Sequence, residues 1–310
     1  MSSRILAAAF LAAVAVAATA QNQVSRPKIT GISHLAVYTS DPVATEHYYK
    51  DIIGAAREPD PENSDGVRYA VSATQFIEVL PLPPGSGINR LDHTAWNVSS
   101  AEGMRKYLWI RGWKTPAMVT RGADGSKWFT VLDPENNKVE FVEPSPHAKA
   151  PNAPNVIGTH IIHVGIMVHD RAKEDTFYRA VLDFKPYWFG GMKDDKIDWV
   201  SQQVPDGHDW LEYMMTSGPS GSGIPATMTQ HALGVLDHLS IGVKSVDGAY
   251  KVLEAGNRLG GTHDAHTQIG KDGKGQFNLY DPDGIRLELM NFHATEKPCC
   301  SPFTAEDPAE

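Results

Sequence analysis

Cysteine is scarce in this sequence and clusters of basic residues are missing, which narrows the classes of protein to which the chain can belong. The two cysteines among 310 residues, Cys299 and Cys300, are neighbours, so a closed structural zinc site with thiolate ligands is disfavoured. Lysine and arginine number 28 against 37 aspartates and glutamates, which gives a formal net charge of −9. This acidic balance argues against nucleic acid and against an anionic membrane surface as partners.

Long hydrophobic runs are missing beyond the first twenty residues. In that segment Arg4 precedes the apolar run ILAAAFLAAVAVAA, and residues 18–20 form a small-x-small cleavage site. The run is shorter than the roughly 20 residues that a membrane span needs. We therefore interpret residues 1–20 as a secretory signal peptide and expect the mature chain to be exported, either to the periplasm or beyond.

Common catalytic signatures are missing as well: the sequence has no serine–histidine–acid arrangement, phosphate loop or dinucleotide fingerprint. With 41% hydrophobic and 21% charged residues, the composition is that of a soluble globular protein with room for about two domains. Export would permit oxidation of the two cysteines, and a bond between them, intermolecular pairing and free thiols all stay open.

What the sequence does contain is a fourfold internal repeat. Each copy begins with a strand-like segment that carries a histidine, and it continues with a polar cap, a helical segment and two or three short strand-like runs. The four initial segments are ISHLAVYT (32–39), LDHTAWNV (91–98), IIHVGIMV (161–168) and LDHLSIGV (236–243). The predicted helix caps are Asp41, residues 99–100, Asp170 and residues 245–247.

A glutamate in the last strand of each copy follows the histidine at a nearly constant interval of 44, 47, 49 and 50 residues. The four pairs are His34 with Glu78, His93 with Glu140, His163 with Glu212, and His238 with Glu288. Strand alternation sends the histidine and the glutamate of one copy to the same face of the sheet, opposite the helices. Burial of an ionised glutamate there is unfavourable unless it is paired or bound to a metal.

We therefore predict that two copies pair and place two histidines and two glutamates around one divalent ion. Neutral imidazole and carboxylate suit Zn, Ni, Fe(II), Mn or Co(II), and such a site leaves positions for water or substrate. The alternative is a pocket that has lost its metal and is merely lined by these polar residues.

The domain boundaries are predicted from composition. A stretch rich in proline, alanine and asparagine between Glu143 and Val156 reads as a linker, so we expect domains at 28–147 and 157–294. Within the second domain, residues 217–230 are predicted to form a flexible loop. Residues 295–310 are predicted to form a loose C-terminal tail.

The repeated unit, with its first-strand histidine, its last-strand glutamate and DPxG-like turns at 133–136 and 281–284, resembles the vicinal oxygen chelate superfamily. That group includes glyoxalase I, extradiol ring-cleavage dioxygenases and bleomycin-resistance proteins. The resemblance covers residues 30–294. It implies an α+β fold of four βαβββ modules, which form two paired-module domains with curved, mostly antiparallel sheets, and it implies a small-molecule substrate.

Resemblance to glyoxalase I implies a metal-dependent isomerase or lyase that moves a proton next to a carbonyl by way of a metal-stabilised enediolate. One divalent metal would lie in each active domain. The implied ligands are His163, Glu212, His238 and Glu288 in the second domain, and His34, Glu78, His93 and Glu140 in the first. A metal-bound glutamate such as Glu212 or Glu288 would act as the catalytic base. Because glutathione is a cytosolic thiol, export would not favour a glutathione adduct as substrate.

Resemblance to extradiol dioxygenases implies Fe(II) bound by His163, His238 and Glu288 alone. His208 lies where that family keeps an acid–base histidine, and His266 lies in the corresponding loop of the fourth copy. Two features depart from the family pattern: Tyr280 directly precedes the turn, and Glu212 would crowd a position that belongs to substrate.

Resemblance to bleomycin-resistance proteins implies a third possibility, a binding protein without catalysis. The aromatic residues on the sheets would then hold the ligand. Trp210 is the leading candidate because it shares a predicted face with Glu212.

Overall fold

The computed structural model describes residues 24–216 and 223–310, which form two β-sheets and a few short helices. The predicted signal peptide (1–20) and residues 217–222 of the predicted loop lie outside the described residues. No helix in the described ranges has the length and apolar composition that crossing a membrane requires.

The first sheet has eight strands, in the spatial order β2-β3-β4-β1-β5-β8-β7-β6. Their bounds are β1 Ile29–Thr39, β2 Ala56–Pro59, β3 Val67–Ala70, β4 Phe76–Pro81, β5 Leu91–Val98, β6 Thr120–Arg121, β7 Lys127–Leu132 and β8 Lys138–Glu143. Two helices accompany it: α1 (Pro42–Glu46), which a π-helical segment (His47–Ile52) continues, and α2 (Ala101–Ile110).

The second sheet has nine strands, in the order β10-β11-β12-β9-β13-β17-β16-β14, with β15 paired to β16. Their bounds are β9 Ile161–Val168, β10 Lys185–Gly190, β11 Trp199–Gln203, β12 Trp210–Met215, β13 His238–Val243, β14 Thr262–His263, β15 Gln268–Ile269, β16 Gly275–Tyr280 and β17 Arg286–Asn291. Its helices are α3 (Arg171–Tyr178), α4 (Gln230–Leu236) and α5 (Val246–Ala255).

The two sheets have the same centre. In the first, β1 and β5 are antiparallel neighbours, and β4 and β8 run parallel to them on either side. In the second, β9 and β13 are antiparallel, and β12 and β17 flank them in parallel. The other strand pairs are antiparallel. The predicted α+β class with curved, mixed sheets is confirmed.

Polar caps start the helices where the sequence predicts them. Four side chains accept a hydrogen bond from a backbone N–H in the first turn: Asp41, Ser100, Asp170 and Ser245. Each bond satisfies an N–H group that has no partner inside the helix. Apolar side chains of α2, such as Met104 and Leu108, are fully buried against the sheet, on the side opposite the predicted polar face.

The predicted strand at 236–243 is wrong at its start. Strand β13 begins at His238, because Leu236 is the last residue of α4, a helix that the sequence analysis did not predict. Thr229 caps this helix, and its Oγ1 accepts the N–H of Ala232 at 3.1 Å. The helix has only two turns and lies mostly between the predicted loop at 217–230 and the predicted strand, so its apolar periodicity was too short to detect.

Buried polar side chains join the two domains. The side-chain amide of Gln75 in the first domain exchanges hydrogen bonds with the backbone of Ile161 in the second, at 2.9 Å in each direction. The DPxG-like turn at 281–284 of the second domain also forms hydrogen bonds with side chains of the first domain. Its Asp281 accepts from the Tyr49 hydroxyl, and its Asp283 pairs with Arg90 at 2.9 Å.

The C-terminal tail is packed against the second sheet, so the prediction that it is loose is wrong. Phe303 lies on Tyr187, with ring centroids 4.9 Å apart. Asp307 accepts a hydrogen bond from Lys274 Nζ at 2.6 Å, and it also accepts from the Tyr187 hydroxyl. Lys274 is fully buried, so its charge needs this partner. Cys299 and Cys300, at the start of the tail, form a disulfide.

Replacement of Asp307 by alanine is expected to lower the free energy of unfolding by about 3 kcal/mol, because it leaves the buried Lys274 ammonium group without its counter-ion. Urea unfolding monitored by tryptophan fluorescence measures the change. Glu306→Ala is the control, since that exposed side chain lies next to Asp307 and should leave stability within about 0.5 kcal/mol of the parent. Equal effects of the two variants would contradict the assignment of the tail as an integral part of the domain.

Candidate metal centres

The first candidate centre lies in the middle of the first sheet. His34 on β1 and His93 on β5 project from the two central strands, while Glu78 on β4 and Glu140 on β8 project from the parallel strands beside them. The strand register brings Glu78 next to Ala36, which is itself opposite His93. All four side chains therefore meet on one face of the sheet.

These four side chains converge on one point. The Nε2 atoms of His34 and His93 are 2.9 Å apart. Glu78 Oε2 lies 3.5 Å from each of them, and Glu140 Oε1 lies 3.7 Å from His34 Nε2 and 3.9 Å from His93 Nε2. All four residues are less than 9% exposed, so water does not screen them.

The buried carboxyl groups of this cluster favour the binding of a cation. No described residue donates a hydrogen bond to Glu78 Oε2 or Glu140 Oε1, although both oxygens are buried. Burial, followed by the neighbouring carboxylates of Glu62 and Glu78, raises the pKa of Glu140 well above its ordinary value. Burial also lowers the pKa of His34 well below its ordinary value, so this imidazole is neutral, the form that binds metals. Two imidazoles and two carboxyl groups are a ligand set that fits a divalent transition metal.

Hydrogen bonds behind the cluster hold each side chain in place. Nδ1 of His34 contacts Ser33 Oγ at 3.1 Å, and Nδ1 of His93 contacts the Asp92 carboxylate at 2.8 Å. Such contacts fix ring orientation and leave Nε2 for the metal. The glutamates are held as well: Asn63 donates to Glu78 at 2.6 Å, and Thr130 donates to Glu140 at 3.2 Å.

Asp92 contacts Lys138 as well as His93, and its carboxylate pairs with Lys138 Nζ at 2.6 Å. Burial alone would raise the pKa of Asp92, but the hydrogen bonds from His93 and Lys138 outweigh burial and hold it well below its ordinary value. The residue is therefore an anion that orients His93.

A large cavity opens beside the first centre. Its volume is about 840 Å³, and His93, Glu140, Glu62 and Asn63 line its inner end. Apolar and aromatic side chains form the walls, among them Trp113, Trp128, Pro116, Val131 and Leu132. A small molecule could thus reach the cluster from one side.

The second candidate centre has the same layout in the second sheet. Nε2 of His163 on β9 lies 3.0 Å from Nε2 of His238 on β13. Glu288 Oε2 on β17 is 3.3 Å from His163 Nε2, and Glu212 Oε2 on β12 is 3.6 Å from His238 Nε2. Burial raises the pKa of Glu212 to about 8, and Glu288 adds to the shift.

The second centre fits a metal less well than the first. Nη2 of Arg286 lies 2.9 Å from Nε2 of His238, so the nitrogen that would bind the metal already contacts a cationic group. No described residue forms a hydrogen bond with Nδ1 of His163. The cavity beside this cluster is small, about 100 Å³, and Phe303 of the tail is part of its lining.

The structure places His208 and His266 away from these clusters. Both side chains are exposed, and neither lines the cavity beside the second centre. Their predicted acid–base role stays a prediction, as do the ligand roles of the eight clustered residues. Trp210 does lie on the face predicted for it: its ring is 4.7 Å from that of His163, and it lines the same cavity as Glu212.

Sequence reasoning missed several residues that shape the centres: Asp92, Asn63, Lys138 and Arg286. One signal was available for Asp92, because an aspartate directly precedes the histidine in both LDH segments. Asn63 lies on a loop far from any repeat position, so no pattern in the sequence marks it.

Comparison with known proteins identifies the fold of the second sheet. Residues 160–289 match the model of the family described as Glyoxalase/Bleomycin resistance protein/Dioxygenase superfamily. The resemblance to vicinal oxygen chelate proteins that the sequence suggested is thereby confirmed.

Solved structures of vicinal oxygen chelate proteins extend the fold match to both domains. A catechol 2,3-dioxygenase is 17% identical, with 87% of this chain and 95% of that chain covered and a TM-score of 0.59. An Mn(II)-bound glyoxalase from Novosphingobium aromaticivorans is 16% identical, with 89% and 86% covered and a TM-score of 0.62. A homoprotocatechuate 2,3-dioxygenase from Arthrobacter globiformis is 13% identical, with 90% and 85% covered and a TM-score of 0.63.

At these identities the likeness shows the fold alone. No curated protein sequence matches the chain. The superfamily includes metal-dependent enzymes that act on small molecules, and the chain carries the histidine and glutamate groups that such chemistry needs.

Replacement of Asp92 by asparagine is expected to weaken metal binding at the first centre by about 10- to 100-fold, because His93 loses the anion that orients its ring. Competition of Co(II) between the protein and a chelating dye measures the affinity. The matched control is Asp237→Asn in the second domain, since that carboxylate accepts from the Met167 N–H and not from His238. An Asp92→Asn protein that binds Co(II) as tightly as the parent would contradict the proposed role.

Proposed function

We propose that the protein is a metal-dependent, glyoxalase-like isomerase or lyase whose active centre lies in the first domain. The observation that supports this most is the convergence of two imidazoles and two unpaired carboxylate oxygens beside a large cavity. A facial triad of two histidines and one carboxylate would suffice for ring cleavage, whereas the fourth protein ligand suits proton transfer.

Three residues of the first centre act as fixed holders. His34 and His93 would bind the cation through Nε2, and Glu78 would bind it through Oε2 while Asn63 holds the other oxygen. When bound, a divalent cation would polarise two adjacent oxygens of a substrate as a Lewis acid. The hydrogen bonds to Ser33 and Asp92 keep the two rings from rotating during this step.

Glu140 is the residue best placed to move a proton. It lines the cavity, whereas Glu78 is not part of the lining. Thr130 holds Oε2 of Glu140, and Oε1 points toward the histidines with no donor among the described residues. Glu140 Oε1 would take the proton from the hydroxyl-bearing substrate carbon next to a carbonyl and return it to the former carbonyl carbon, while the hydroxyl proton passes to the former carbonyl oxygen.

The cavity defines the general kind of substrate. Its volume lies within the about 300–1,000 Å³ that small-molecule sites occupy. The indoles of Trp113 and Trp128 and the side chains of Val131 and Leu132 provide apolar walls. A compact molecule with two adjacent oxygens and an apolar remainder matches this lining.

A second candidate function is extradiol ring cleavage in the second domain, which requires Fe(II) at that cluster in spite of the contact between Arg286 and His238. It is supported by the fold match to two dioxygenases and by the His163, His238 and Glu288 set, which is the ligand type of a facial triad. We also propose that the chain acts outside the cytoplasm, on the strength of its first twenty residues.

Replacement of Glu140 by glutamine is expected to slow turnover by at least about 100-fold, because the amide cannot accept the substrate proton. The Mn(II)-loaded protein is incubated in D₂O with 2-hydroxyacetophenone and related α-hydroxyketones, and NMR measures exchange of the proton next to the carbonyl. Metal content is measured in parallel, so that loss of the base is separated from loss of the ion.

The matched variant Glu288→Gln alters the register-equivalent glutamate of the second domain. The proposal is refuted if the parent takes up oxygen with catechol, if Glu288→Gln abolishes this uptake and if Glu140→Gln retains it. The reaction would then take place in the second domain. Proton exchange that only Glu140→Gln abolishes would support it.

A further inference from the structure

One basic residue lies at the same place in each sheet, next to the second histidine of the cluster. Lys138 is the register partner of His93 across β5 and β8, and Arg286 is the register partner of His238 across β13 and β17. Each of the two basic residues lies two positions before the last-strand glutamate of its cluster. The two domains therefore permit a direct comparison of what this position does.

In the first domain the basic side chain turns away from the cluster. Lys138 Nζ pairs with Asp92 at 2.6 Å, and the lysine side chain is 50% exposed. The other oxygen of Asp92 contacts Nδ1 of His93. Nε2 of His93 consequently faces His34 and the two glutamates, with the lysine held on the outside.

In the second domain the corresponding groups are arranged differently. The Asp237 carboxylate accepts the backbone N–H of Met167 at 3.0 Å. Nδ1 of His238 lies 2.9 Å from the carbonyl oxygen of Leu236, to which it can only donate, so the lone pair of the neutral ring is on Nε2. Arg286 Nη2 donates to that lone pair at 2.9 Å.

We propose that the Arg286 guanidinium takes the place of a divalent cation in the second cluster, so that this cluster binds no metal ion and any ion that the chain holds lies in the first domain. The second cluster is then a metal-free relative of the first, held together by an internal cation. This inference concerns the second domain and holds whether or not the first domain has the proposed activity.

The chemistry of arginine supports this arrangement. A guanidinium group does not lose its proton in proteins, so its positive charge is permanent and repels a second cation at the same place. It also consumes the imidazole lone pair that would otherwise coordinate the metal. Lys138, at the matching position of the first domain, pairs with the Asp92 carboxylate. It therefore neither places its charge in the cluster nor occupies an imidazole lone pair.

The second imidazole gives an independent indication. No described residue orients the His163 ring through Nδ1, whereas both rings of the first cluster have such a contact. Histidines that bind metals almost always donate their other ring nitrogen to a neighbour. His163 lacks this support and instead lies 3.3 Å from Glu288 through Nε2.

Access to the second cluster is also restricted. The cavity beside it, at about 100 Å³, is far smaller than the one beside the first cluster, at about 840 Å³. Phe303 and Tyr187 narrow it from the side of the tail, and Lys274 forms its ion pair with Asp307 beneath them. A substrate that fills the first cavity has no room in this one.

Metal stoichiometry tests the proposal directly. The full-length protein is freed of metal with a chelator, dialysed and titrated with Co(II) alone, and bound cobalt is measured by equilibrium dialysis and by visible absorption. The parent is expected to bind one equivalent. Arg286→Met, which removes the charge and the donors but keeps the length, is expected to bind two, with a second set of cobalt absorption bands.

Matched variants identify which cluster holds each ion. Lys138→Met is the control at the register-equivalent position and is expected to stay at one equivalent. His93→Ala is expected to bind none, His238→Ala one, and the double variant Arg286→Met with His93→Ala one. The proposal is overturned if the parent binds two equivalents of cobalt and His238→Ala removes one of them. It is also overturned if a folded Arg286→Met protein still binds only one equivalent of cobalt.

Two results separate this inference from the proposed function. If the parent binds no cobalt but Arg286→Met binds one equivalent, the inference stands and a metal centre in the first domain is refuted. If Arg286→Met does not give a native circular dichroism spectrum, His238→Ala decides the matter: unchanged stoichiometry supports the proposal, and loss of one equivalent overturns it.

Discussion

The structure depends on the placement of carboxylates next to imidazoles at the buried centre of each sheet. Burial of two glutamates so close together is unfavourable by several kcal/mol unless a positive charge lies between them. The antiparallel pairing of β1 with β5, flanked by parallel β4 and β8, forces this arrangement on the first domain. A positive charge is therefore part of what the fold requires.

The two domains meet this requirement in different ways from the same scaffold. In the first, Asp92 binds Lys138 outside the cluster and orients His93, which leaves the space between the side chains for an ion. In the second, Asp237 bonds to the backbone and the chain supplies its own cation through Arg286. On this proposal, the first half of the chain is suited to chemistry and the second half to stability.

The sequence was sufficient to predict the repeat, the helix caps and the eight clustered side chains, because these follow from strand alternation and from the constant spacing of His34 and its counterparts to their glutamates. It was not sufficient to separate the two clusters. Both contain an aspartate before the histidine and a basic residue before the glutamate, so the difference between Lys138 and Arg286 arises from packing in three dimensions. Helix α4 was missed because it has only two turns, and the docked tail was missed because its contacts are made with residues far away in the chain.

The docked tail also affects the order in which the second domain can form. Tyr187 and its partner Asp307 are 120 residues apart in the chain. At a ribosomal rate of about 5–20 residues per second, strand β10 emerges several seconds before the segment that covers it. Lys274 precedes its counter-ion Asp307 by 33 residues, so it stays hydrated until that segment is available, and the domain reaches its final packing only after residues 301–309 have docked.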